Sequence, residues 1–125
     1  MNADTINGVT ERVIGCAFTV SNTLGSGFLE KVYENALALE LRRAGLAAEQ
    51  QIPIAVYYHD ALVGDFAADL LVEQCVIVEL KAGKALDDAH MAQCINYLAA
   101  TGLKICLLLN FGKPKLEVKR IVRDL

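Results

Sequence analysis

The chain has 125 residues, 54% of them hydrophobic and 22% charged, and a net charge of −3. With a mean hydropathy of +0.36 it is too apolar to stay disordered and long enough to bury one core, so a single domain over 1–125 is expected. No run of about 18 apolar residues occurs, which excludes a membrane helix, and Met1-Asn2-Ala3-Asp4 shows no basic-then-apolar secretory signal.

So high an apolar share in a small domain leads us to expect a second copy, a homodimer, covering part of the surface. Cys16, Cys75, Cys94 and Cys106 lie 59, 19 and 12 positions apart, each in apolar surroundings. That spacing suits neither a zinc site nor a disulfide frame. It suits free, buried thiols in a reducing cytoplasm.

In chain order, Ile6, Val9, Val13, Ala17, Val20 and Leu24 recur at helical spacing, predicting a helix over 5–24 that Gly25-Ser26-Gly27 breaks. A second helix is expected from about Phe28 to Ala44, with Val32, Ala36, Leu37 and Leu41 on its apolar side and Gly45 as its stop. Residues 49–58 alternate as a strand through Ile52, Ile54, Val56 and Tyr58, and His59-Asp60 marks a turn. Residues 62–72 and 75–81 make the next strands. Asp87 or Asp88 can cap a helix over 88–101 that ends at Gly102. Lys104–Asn110 reads as a strand buried on both faces, and 116–122 as a last strand. The order ααβββαββ makes an α/β domain, a mixed β-sheet flanked by helices.

Charge is unevenly spread. Residues 1–103 hold 6 basic and 13 acidic residues, and residues 104–125 hold 6 basic and 2 acidic. The basic tail, with Lys113 and Lys115, could touch phosphates, or its lysines could simply guard an edge strand.

The chemistry gathers elsewhere. Glu79 and Lys81 sit two apart on a strand that should be central, so they share one face while Val76, Val78 and Leu80 take the other. Asp69 interrupts the preceding strand between Ala68 and Leu70. A loop of Glu73-Gln74-Cys75 pairs Val72 with Val76 and sets Asp69 opposite Glu79; a two-residue turn would separate the carboxylates. The apolar pattern favours the first register.

Two adjacent carboxylates repel unless one protonates or a cation neutralises them, and oxygen-rich pairs suit Mg²⁺ or Mn²⁺. Lys81 would then serve a water or the charge of a reacting phosphate. A structural Asp-Lys-Glu network without metal accounts for the same residues.

On the following helix Gln93 and Tyr97 share a polar stripe with His90, while Met91, Cys94, Ile95, Leu98 and Ala99 form the apolar one. His90 alone reads as part of a solvated face. Glu30 and Tyr33, one turn apart, could reach the same pocket, although Glu30 also suits a helix N-terminus through the macrodipole.

Gly27, Glu30 and Tyr33 spell GxxExxY, and the chain resembles the GxxExxY proteins of the PD-(D/E)XK nuclease superfamily from its first helix through Asn110-Phe111-Gly112. Asp69 with Glu79-Leu80-Lys81 resembles the superfamily's D…(D/E)xK core, with Ala68 where the name has proline. Gln93-xxx-Tyr97 resembles the QxxxY helix of RecB-like nucleases.

The resemblance implies a restriction-endonuclease-like fold and a metal-dependent phosphodiesterase acting on nucleic acid, DNA ahead of RNA, with no membrane partner. It implies Mg²⁺ (or Mn²⁺) on Asp69, Glu79 and the Leu80 carbonyl, with Lys81 orienting the attacking water. Glu30 becomes an accessory ligand or water-binding group, and Gln93 orders the site. Tyr33, Tyr97, Lys113 and Lys115 are the expected substrate contacts. The alternative is a catalytically silent nucleic-acid-binding or oligomeric interaction domain that keeps the fold, since fold alone does not establish activity.

Overall fold

A computed structural model describes residues 1–125. Helix α1 (Ala3–Leu24) starts at Asn2, whose side chain accepts the Thr5 N–H, and buries Ile6, Val9, Val13, Ala17 and Val20. The chain turns at Gly25, where φ is +71°, a conformation glycine adopts without strain. Helix α2 (Glu30–Arg43) follows, rotated from its expected orientation. Tyr33, Leu37, Ala38 and Leu41 face the core, and Val32 is 40% exposed. The rotation brings the Tyr33 ring onto Phe111, stacked with centroids 4.8 Å apart.

Strands β1 (Ala48–Tyr58) and β2 (Ala61–Val72) form a long hairpin closed by His59 and Asp60. Both turn residues have positive φ, 47° and 65°, matching the right-handed twist of the strands. Strand β3 (Val76–Lys81) returns antiparallel to β2 with Val72 opposite Val76 and Leu70 opposite Val78. The odd-length loop over 73–75 is therefore the register adopted, and one more step sets Asp69 opposite Glu79.

Helix α3 (Asp88–Thr101) crosses from β3 to β4 (Ile105–Asn110), which lies parallel to β3; β5 (Glu117–Val122) closes the sheet as an antiparallel edge. The sheet order is β1-β2-β3-β4-β5. Its edge position gives the exposed Lys119 and Arg120 of β5 a ready role as guards against sheet pairing.

The two faces of this sheet are packed unequally. Under α1 and α2 lies a cluster of 22 buried residues, including Leu70, Val78, Leu80, Leu107 and Leu109. Under α3 only 8 buried residues gather, among them Ile54, Ala68, Ile77, Tyr97 and Leu108. Met91 packs partly buried against this smaller cluster, while Ile95 is 55% exposed and Ala99 faces solvent, so Tyr97 holds the core position that the apolar stripe assigned to them.

The β1–β2 hairpin changes phase midway. Ala48 and Leu70 pack on the α1/α2 side, whereas Ile54 and Ala68 pack on the α3 side. The switch falls at Gln51, which has φ +54°, and at Asp69 beside it. Beyond this point the hairpin runs on without β3, whose pairing with β2 spans only residues 70–72.

Candidate metal and nucleic-acid site

Where β2 leaves β3, the backbone groups that would continue the ladder are taken over by carboxylates. The Asp69 N–H donates to Glu79 Oε1 at 2.9 Å, and the Leu80 N–H donates to Asp69 Oδ2 at 2.8 Å. These reciprocal bonds lock both side chains at the fork with one oxygen of each engaged. In a strand the N–H and C=O of one residue point the same way, so the Leu80 carbonyl faces the fork with its N–H.

Glu79 is 3% exposed, and its neighbour two residues on, Lys81, is half-buried. Burial and then the charge of Asp69 push the Glu79 carboxyl up to about 8, against the opposing pull of the Asp69 N–H and of Lys81. Asp69 is raised as well, first by burial, with the Leu80 N–H acting against it and the charge of Glu34 adding to it. Without a cation, the Glu79 carboxyl therefore keeps its proton at neutral pH.

The donor set suits a hard divalent ion. No three His, Cys, Asp or Glu side chains converge to hold a metal, which argues against a closed all-protein cage. Mg²⁺ is usually held by one or two carboxylates, with water and substrate phosphate filling the remaining positions. Asp69, Glu79 and the Leu80 carbonyl supply that partial set.

Two further layers hold the fork. Gln51 donates one amide to Glu34 Oε1 at 2.8 Å and lies 3.4 Å from Asp69 Oδ1. Glu34 is 4% exposed and also accepts from Lys31 and Gln50, at 2.9 and 2.8 Å. Neither Glu34 nor Gln51 stands out in the sequence; the one signal is that Glu34 lies one helical turn after Glu30.

Just past the same end of β3, the fully buried Asn110 accepts the Gly83 N–H and donates to the Gly83 carbonyl, at 3.1 and 3.0 Å. It thereby pins the loop that follows Lys81. A Cβ on Gly112 would stand 2.4 Å from the Gly83 backbone, so only glycine fits there.

Gln93 donates to the Tyr97 hydroxyl at 2.8 Å, and that hydroxyl lies 3.5 Å from the Ala67 carbonyl, two residues before Asp69. Burial, then Glu79 and Asp69, push the Tyr97 phenol up to about 12. It stays protonated and serves as a hydrogen-bonding group, not as a base.

Other candidates lie elsewhere. Tyr33 is fully buried, its hydroxyl donating to the Gly25 carbonyl and accepting the Phe28 N–H. Tyr33 thus organises the α1–α2 turn and is closed to substrate, contrary to the sequence expectation. Glu30 is exposed at the start of α2, close enough for its charge to raise Glu79. Lys113 and Lys115 lie in the β4–β5 loop, with Lys113 beside Glu117. His90 is a capping residue: its N–H donates to Asp87 and its ring nitrogen accepts the Asp87 N–H.

The model of the PD-(D/E)XK nuclease superfamily matches residues 7–121. The chain belongs to the PD-(D/E)XK nuclease superfamily. Nucleases of this superfamily generally use divalent metal ions, in keeping with the carboxylate pair at the fork.

In structure the chain is similar to an alkaline exonuclease from Laribacter hongkongensis, with a TM-score of 0.54 and 19% identity over 75% of this chain. The likeness covers 56% of that exonuclease and establishes the restriction-endonuclease-like fold. Among curated proteins, none matches the sequence. No helix is long and apolar enough to cross a membrane.

Proposed function

We propose that the chain is a divalent-metal-dependent phosphodiesterase of the GxxExxY type that hydrolyses nucleic acid, DNA ahead of RNA. The observation that carries this reading is the fork itself. Two carboxylates, one pushed up to about 8, are locked side by side with Lys81 on the same strand face, at the point where the sheet opens to solvent.

Asp69, Glu79 and the Leu80 carbonyl would hold Mg²⁺ or Mn²⁺, which when bound lowers the pKa of water and offsets the charge of the scissile phosphate. Lys81 orients the attacking water and balances negative charge as the phosphorus–oxygen bond breaks. Gln93 fixes the Tyr97 hydroxyl, and the pair borders the site where the sugar-phosphate backbone would lie. Glu30, exposed and near enough for its charge to act on Glu79, would hold an ordered water. Lys113 and Lys115 would meet phosphates farther along the strand.

Free thiols at all four cysteines suit work in a reducing cytoplasm. A second copy would cover the exposed Val32 and Leu39 of α2 and Leu29 just before it, an expectation that analytical ultracentrifugation tests.

A competing reading keeps the site without turnover, and the reciprocal bonds favour it: two backbone N–H groups, at 2.9 and 2.8 Å, already hold both carboxylates without a cation. One pair of measurements separates the two. Mn²⁺ binding to the wild-type chain, followed by calorimetry without nucleic acid, should saturate and be lost in Asp69→Asn. Cleavage of DNA should fall about 10²-fold or more in Lys81→Ala, the scale of removing one electrostatic group from a transition state. Nucleic-acid binding with no metal-dependent cleavage in wild type would leave the silent domain standing.

A further inference from the structure

Beyond the fork, the free part of the β1–β2 hairpin and helix α3 stand apart and leave a groove. Its innermost part has a volume of about 330 Å³, at the small end of ligand sites, which run from about 300 to 1,000 Å³. Val56 and Phe66 wall it on the hairpin side, and Ala92, Asn96 and Ala100 on the helix side. It continues outward past Phe66 over Gly64. Small residues keep it open: a Cβ on Gly64 would stand 2.9 Å from the Phe66 ring.

Resting on the hydrolase reading above, we propose that this groove receives one unpaired nucleobase of the strand whose phosphate lies at the Asp69–Glu79 fork. Position is the first argument. Gln93 and Tyr97 belong at once to the rim of the fork and to the lining of the groove, so a strand at one is next to the other. Charge is the second. No charged side chain lines the groove. An uncharged lining is unsuited to a phosphate or an ionic side chain and suited to a flat, uncharged ring.

Chemistry is the third. Phe66 is 47% exposed, tilted 54° to Tyr97 with centroids 6.1 Å apart, and offers an aromatic surface for stacking. Exposed Asn96 brings an amide that can pair with a base edge. Stacking on an aromatic side chain tolerates any base, and a base paired within a duplex has no free face. The substrate class that fits is thus a single strand or a frayed end.

Binding of a single-stranded oligonucleotide carrying 2-aminopurine tests this, in Ca²⁺ so that turnover does not intervene, with DNA and RNA versions. The expected result is fluorescence quenching by wild type, about tenfold weaker affinity in Phe66→Ala, recovery in Phe66→Tyr, and no quenching with a fully paired duplex. Gly64→Ala, which keeps the Phe66 ring but pushes it aside, should weaken quenching in the same direction. Melting curves of each variant confirm folding.

The proposal is overturned if neither wild-type titration quenches, or if Phe66→Ala quenches as wild type does. It is also overturned if Phe66→Ala only dissociates a dimer in sedimentation, which would make the groove a contact between copies. Mn²⁺-dependent cleavage is measured in parallel. Cleavage without quenching removes the groove and keeps the hydrolase; quenching that depends on Phe66 without cleavage does the reverse.

Discussion

The two faces of the sheet are built to different ends. Against α1 and α2, 22 buried residues interlock and even the helical tyrosine, Tyr33, is absorbed into packing. Against α3, 8 buried residues share their layer with Glu79, and the half-exposed Gln93 lies along its margin. Buried carboxylates cost free energy that a site must offset through hydrogen bonds or a bound cation. The thick layer supplies the surplus stability, and the thin one can then hold charge and remain open. On the proposed function, activity and stability fall to opposite sides of a single strand, β3, whose even-numbered residues pack and whose odd-numbered Glu79 and Lys81 would serve the fork.

The largest effect that could break this contrast is a cavity on each side. Leu107 and Leu108 are neighbours on β4, both fully buried, and belong to the thick and thin layers respectively. Leu-to-Ala changes in cores cost about 2–5 kcal/mol, less where the surroundings can close over the void. Leu107→Ala should fall toward the upper end and Leu108→Ala toward the lower, measured by urea denaturation. Equal losses would show that the α3 layer is as rigid as its opposite.

The next effect lies in pH. Glu79 holds its proton in the folded chain up to about 8, whereas in the unfolded chain it loses it near 4.5. Between those values the folded state binds more protons, so stability falls as pH rises and levels off above 8. The total is on the order of a few kcal/mol. Melting temperature without divalent ions should therefore drop from pH 5 to pH 8. Millimolar Mn²⁺ should reverse the drop by replacing the proton, and Glu79→Gln should flatten the curve from the outset. A rise across this range in wild type would mean that Glu79 is ionised throughout.

Local pattern carried much of this organisation into the sequence. The alternation of Leu70, Val72, Val76, Val78 and Leu80 chose the hairpin register, and the register set Asp69 against Glu79. The phase switch at Gln51 escaped such reasoning, because a left-handed residue inside a strand has no sequence mark when it is not glycine. Glu34 escaped for a different reason. Its burial depends on the rotation of α2, and that rotation depends on Tyr33 finding Phe111 some 78 positions later. Pairwise stacking between distant elements leaves no periodicity to read. Val32 was misplaced on the core side for the same reason.

The smallest effect concerns the helix that carries Gln93 and Tyr97. Asp87 accepts the His90 N–H at 2.9 Å, and His90 accepts the Asp87 N–H in return at 3.3 Å, a reciprocal cap at the α3 N-terminus. Loss of an N-cap side chain costs typically about 1 kcal/mol, so Asp87→Ala should lower stability by about that amount. His90→Ala should cost less, because it removes only the longer of the two bonds. Neither residue reaches the fork, so calorimetric Mn²⁺ affinity should be unchanged in both. Weaker Mn²⁺ binding in His90→Ala at unchanged stability would move this histidine from the cap to the metal, and the thin face would then hold a third ligand. Retained affinity leaves the fork as a two-carboxylate site whose remaining positions await water and phosphate.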